Sequence, residues 1–167
     1  AYLLDEGMLG GFHFNDRKYA DDDLTLGSID PYAVFRIFNA IVQHEFDTGE
    51  LAGVAYMVDQ SHNLKNKIEA ALQTIDTAQK LWVKAHLVDR RKLTRAQAKG
   101  DIVTAEQCLV DAFETDVRHV VCEWRMANDL PVDPIDEYRA SGHQAKAARE
   151  RSKARLERPE SAPASYA

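Results

Sequence analysis

The chain is 167 residues long, 45% hydrophobic and 29% charged, which fits one domain with a buried core rather than a disordered or fibrous chain. A formal net charge of −6 argues against nucleic acid or an anionic membrane as the main partner, because both select basic faces. No apolar run approaches the roughly 20 residues that a bilayer-spanning helix needs, no signal-peptide pattern is present, and the two cysteines, Cys108 and Cys122, read as free thiols of a cytoplasmic protein.

In chain order, Ala1 to Gly7 reads as the last turn of a helix with Gly7 as its stop, and no initiator Met precedes it. The sequence is therefore expected to be the C-terminal part of something larger. Gly10 to Phe14 is a short, aromatic, glycine-led run that predicts a buried strand. After a polar loop, Asp30 is placed to cap a helix that has Pro31 at its first position, where a missing N–H costs nothing. That helix carries Val34, Phe35, Phe38, Ile41 and Val42 at helical spacing and should end near Thr48-Gly49. Gly53 to Asp59 is a second short apolar run, continuous rather than alternating, as expected of a strand covered on both faces. From about Asn66 a long helix is predicted to present Ile68, Leu72, Ile75, Leu81, Trp82 and Ala85 to the core.

Strand, loop and helix thus occur twice, the mark of a parallel α/β sheet or barrel, and no strand pattern returns after Asp89. Thr94-Arg95-Ala96-Gln97 and Thr104-Ala105-Glu106-Gln107 both match the capping box. The second is expected to open one helix with Leu109, Phe113, Val117, Val120, Val121 and Trp124 in a single stripe. Asp133-Pro134 repeats the Asp-Pro start and introduces a basic, alanine-rich helix running toward Leu156. The tail from Pro159 is small and polar and reads as disordered. Three parts follow: αβ units over 1–89, a helical extension over 90–158, and the tail over 159–167. The extension needs a surface to pack on, and another subunit is one candidate. Two strands alone would leave edges and an uncovered apolar face, a second reason to expect missing strands.

The chemistry gathers at one sheet edge. His13 closes the first strand and Asp59 the second, so in a parallel pair they stand side by side, about 5 Å apart at backbone level. Asp21-Asp22-Asp23 follows His13 on a loop, and alternation turns Asp21 and Asp23 the same way while Asp22 faces solvent. Imidazole and carboxylate together suit Mn²⁺, Co²⁺ or Zn²⁺. One site can be drawn with His13 and Asp59 and another with Asp21 and Asp23, each short of a full shell. A histidine at a strand end is usually a hydrogen-bonded core residue, and an acidic run is usually solvated; it is their meeting with Asp59 on one edge that points to metal. A calcium EF-hand is excluded, since counting from Asp21 the required glycine and glutamate are Leu26 and Tyr32. Ser61, His62 and Asn63 could line the same pocket, and Arg17 and Lys18 could balance the acidic loop. No glycine-rich phosphate cradle follows either strand.

Phe12 to Thr25 with Gly27-Ser28-Ile29-Asp30-Pro31, then Met57 to Asn63, then Asp133-Pro134 with Tyr138 to Gly142, resemble the L-rhamnose isomerase family, a group of xylose-isomerase-like sugar isomerases. The resemblance implies an α/β fold, the last two strand–helix units of a (β/α)₈ TIM barrel plus a C-terminal helical extension used in tetramer assembly. It implies a two-metal centre, commonly Mn²⁺, with Co²⁺, Zn²⁺ or Mg²⁺ as other possibilities. His13 and Asp59 would bind the structural metal, Asp21 and Asp23 the catalytic one. The implied reaction is aldose–ketose isomerisation, L-rhamnose to L-rhamnulose, through either a hydride shift or an enediol. In the enediol route Asp59 is the candidate base. Another isomerase or epimerase of the same barrel, acting for example on D-allose and D-psicose, and an inactive structural segment are the alternatives. The isolated chain is expected to be inactive without the upstream ligands.

Overall fold

The computed structural model describes residues 2–20, 22–60 and 65–156. The chain divides between Val132 and Asp133 into two compact units. The first begins with α1 (Tyr2–Asp5), which stops at Gly7 as its sequence predicts, and continues into β1 (Gly11–Phe14). The helix α2 (Pro31–Thr48) then crosses over to β2 (Ala55–Val58), which pairs with β1 in parallel, Gly11 opposite Ala55 and Phe14 opposite Val58. The strands approach closely at their start. A Cβ on Gly11 would lie 2.9 Å from the Ala55 carbonyl oxygen, so only glycine fits there.

The crossover helix follows its sequence. The Asp30 side chain accepts from the Ala33 N–H, Pro31 opens the first turn, and Gly49 closes the helix by donating its N–H to the Glu45 carbonyl. Val34, Phe35, Phe38, Ile41 and Val42 are all buried, as their spacing demands. They meet the sheet through its aromatic face, where Phe12, Phe14 and Tyr56 stack on one another and Phe14 sets its edge against Phe38 at 5.5 Å.

The second strand differs from its prediction. All four β2 residues are exposed to some degree, and among the described residues no element covers the face that carries His13 and Met57. A continuous apolar run signals burial on two sides, but among the described residues the two-stranded sheet has helices on one side only.

The helix α3 (Lys67–His86) is capped by Asn66, whose side chain accepts from the Ile68 and Glu69 N–H groups. Its buried stripe is Ala70, Thr74, Leu81 and Ala85, whereas Ile68 and Ile75, predicted for the core, are 42% and 43% exposed. Small residues face inward in the first half of the helix because a loop presses there. Gly27, at φ +71°, comes so close that an added Cβ would sit 2.9 Å from Thr77 Cγ2.

Helices α4 (Arg90–Ala98), α5 (Ile102–Glu114) and α6 (Arg118–Ala127) complete the unit, and Leu93, Cys108 and Ala112 join the core built by α2 and α3. Neither predicted capping box operates. Asp89 caps α4 and Asp101 caps α5, each carboxylate accepting from the N–H three residues on, while Thr94 lies inside α4 and Thr104 in the first turn of α5. Each helix starts several residues before its threonine pattern, at Asp89 and at Asp101, so both threonines fall within helices that a carboxylate has already capped. The single stripe from Leu109 to Trp124 is also divided, because Thr115 turns extended and α6 starts afresh after Val117. Trp124 is left exposed. Cys108 and Cys122 are free thiols.

The largest buried charge was not anticipated. Arg125 on α6 is 4% exposed and spreads its guanidinium over α3, with Nη2 donating to Asp76 at 2.9 Å and to Gln79 at 2.6 Å, and Nη1 donating to the Val132 carbonyl. It staples α6 to α3 and fixes the segment after it.

In the second unit Asp133 caps α7 (Pro134–Ala140) by accepting from the Ile135 and Asp136 N–H groups, as the Asp-Pro pattern predicts. The helix does not run on to Leu156. Gly142 interrupts it, and α8 (His143–Leu156) follows with no buried residue. The predicted tail from Pro159 lies outside the described residues. No helix among the described residues is long and apolar enough to cross a membrane.

Candidate metal centre

His13 stands in register with Met57, and Asp59 follows two positions later, so pleat alternation puts the histidine and the carboxylate on the same face. The ladder extends far enough to hold them there, since the Asp59 N–H donates to the Phe14 carbonyl at 3.0 Å. His13 Nδ1 and Asp59 Oδ2 are 3.3 Å apart, and their side chains are 66% and 54% exposed. Two donors bound side by side to one ion, each about 2.1 Å from it, stand about 3 Å from one another. The pair fits two neighbouring positions of a metal shell, and its open face leaves room for further ligands.

The acidic loop is tied back at its base. Asp16 and Leu24 exchange both backbone hydrogen bonds, at 2.8 and 2.6 Å, in an isolated antiparallel bridge. The Asp16 carboxylate then accepts from the N–H groups of Arg17, Ile29 and Asp30, which joins the loop to the start of α2. Asp22, predicted to face solvent, is half-buried at the surface of the loop. It accepts from the Lys18 and Tyr19 N–H groups and so shapes the loop's own turn.

Asp23 adopts φ +39° and accepts at Oδ1 from the Asn15 side-chain amide at 2.7 Å, which leaves Oδ2 for another partner. Asp21 lies outside the described residues, as do Ser61, His62 and Asn63. Among the described residues, no group of three His, Cys, Asp or Glu side chains forms a metal-holding cluster. The structure therefore brings His13 to Asp59 and Asp23 to Asn15. It gathers no described third ligand around either pair.

Sequence reasoning passed over the residues that hold these loops. Asn15 and Asp16 lay inside the Phe12 to Thr25 motif but were given no role of their own. Gln60 lay inside the Met57 to Asn63 motif without a role of its own, and Lys65 and Thr74 carried no motif. Gln60 donates its side-chain amide to the Thr74 hydroxyl, which also accepts from the Leu26 N–H at 3.3 Å. Lys65 donates to the Thr25 hydroxyl at 3.1 Å and to Gln73 at 3.2 Å.

No protein-family model matches the chain. Over 151 residues, 90% of its length, it is 42% identical to a probable sugar isomerase of Rhizobium meliloti (strain 1021). Over 149 residues it is 44% identical to a probable sugar isomerase of Mesorhizobium japonicum. The chain is similar to proteins named as sugar isomerases. It spans 35% of the length of each, so these relatives are about three times as long as the matched region.

Proposed function

We propose that the chain forms part of a metal-dependent aldose–ketose isomerase and supplies to it one edge of the sugar site. The observation that carries this reading is the 3.3 Å approach of His13 to Asp59 on the open face of a parallel sheet, in a chain similar to sugar isomerases. His13 and Asp59 would hold one divalent ion, Mn²⁺ by preference. Asp23, through the oxygen that Asn15 does not occupy, would hold a second together with Asp21. Such ions, when bound, polarise the carbonyl and the adjacent hydroxyl of an open-chain sugar. In this reading β1 and β2 with their helices are the last two units of a (β/α)₈ barrel. The substrate is L-rhamnose, with L-rhamnulose as product.

The chain's own contribution is positional. Asp59 is the carboxylate set to take and return a proton if the reaction passes through an enediol, and His13 fixes its orientation from the neighbouring strand. Aldose labelled with deuterium at C2 separates the routes: a hydride shift carries the label to C1, and an enediol loses it to water.

The full-length protein with Mn²⁺ should convert L-rhamnose faster than D-allose or D-mannose, measured as ketose formed. An Asp23→Ala variant should lose at least about 100-fold in turnover, with His13→Ala weakening Mn²⁺ binding by a similar factor. Unchanged turnover in both variants would sink the metal reading. A higher rate on D-allose would keep it and change the substrate to that of the D-allose/D-psicose alternative.

A further inference from the structure

We propose that Thr74 is a positioning residue that locks the two ligand-bearing loops to a single point on α3. The inference rests on the metal reading above and adds to it a residue with no ligand role. Thr74 is 1% exposed, in the first half of α3 where small residues face inward. Its hydroxyl accepts from two directions. The Leu26 N–H approaches from the segment that follows Asp23 and Leu24, and the Gln60 side-chain amide approaches from the residue directly after Asp59. Asp23 therefore lies three residues from one arm of the clamp and Asp59 one residue from the other.

Lys65 forms a parallel tie. It sits on the loop that follows β2 and reaches the Thr25 hydroxyl on the acidic loop, with Gln73, the neighbour of Thr74, accepting from the same ammonium group. Loops fixed only by their own turns move independently. Two loops hung on one buried hydroxyl and one ammonium move together, and ligands held within tenths of an ångström gain affinity from that rigidity. The sequence gives no hint of this, since an isolated threonine in a helix carries no motif.

The test compares Thr74→Val, which keeps the shape and removes the hydroxyl, with Thr74→Ser, which keeps the hydroxyl. Leu93→Ala, a core truncation on α4 that removes none of the hydrogen bonds of the two loops, controls for lowered stability. Mn²⁺ affinity is read by titration with the full-length protein and loop protection by amide hydrogen exchange. Thr74→Val should weaken Mn²⁺ binding about tenfold and speed exchange of the Leu26 amide, and Thr74→Ser should recover both. Leu93→Ala should leave the affinity unchanged. Wild-type affinity in Thr74→Val, or equal losses in Thr74→Val and Leu93→Ala, would overturn the positioning role. If the wild-type protein binds no Mn²⁺, the metal reading fails and the positioning role with it, while faster Leu26 exchange in Thr74→Val still shows the clamp and unchanged or slower exchange shows that it is absent.

Discussion

At the scale of single residues, buried charge and buried hydroxyls decide more than the acidic run that stands out in the sequence. Arg125 illustrates this. Its partners Asp76, Gln79 and the Val132 carbonyl all lose their donor if the guanidinium is removed, and the carboxylate is left with Lys80 alone. Arg125→Ala is expected to lower unfolding free energy by about 2 kcal/mol, read from a urea melt, because Gln79 and the Val132 carbonyl lose a charged donor and a buried side chain is removed. His86 makes a second case. Burial beside Trp82 and Phe46, reinforced by the charge of Arg90 and only partly opposed by Glu45, holds its imidazole below its ordinary pKa of 6.5. The unfolded chain therefore takes the proton more readily than the folded one. Stability should be level above pH 6.5 and fall as pH drops below it, and His86→Gln should flatten that fall in thermal melts at pH 7.5 and 5.5.

At the scale of elements, a polar side chain directly preceding the helix caps α2, α3, α4, α5 and α7, and the sequence reading placed the start correctly at three of the five. Asp30, Asn66 and Asp133 start their helices by accepting N–H groups one turn in. Asp30→Ala should cost about 1 kcal/mol in a chemical melt. The capping-box pattern misled where it matched a threonine inside a helix that an earlier aspartate had already started. Asp101, not Thr104, accepts at the start of α5, and Thr94 is an interior residue of α4. Thr94→Ala should shift stability by less than about 0.5 kcal/mol, and Asp101→Ala should lower the unfolding midpoint by more than Thr94→Ala does. Hydrophobic spacing misled in the same way. A stripe drawn from Leu109 to Trp124 runs across the break at Thr115, because periodicity records which residues are apolar and not whether the backbone between them stays helical.

At the scale of the whole molecule, the aromatic face of the sheet is only partly filled. Phe14, Tyr56, Val58, Ile75, Trp82 and Trp124 line an apolar groove of about 700 Å³. A groove of this kind should bind a fluorescent apolar dye, and Ile75→Lys at its rim should reduce the signal without lowering the urea midpoint. The opposite face, with His13, Met57 and Asp59, is open as well. By itself, the sequence determined the order of strand and helix, the pairing of β1 with β2, the buried face of α2 and the meeting of His13 with Asp59. Each of these follows from local periodicity and from the short reach between successive parallel strands. Tertiary structure alone decided that Arg125 is buried, that α3 turns Ala70 and Thr74 inward in place of Ile68 and Ile75, and that one threonine gathers both site loops. Those outcomes depend on which distant segment presses against each residue, and spacing along a chain does not encode that pressure.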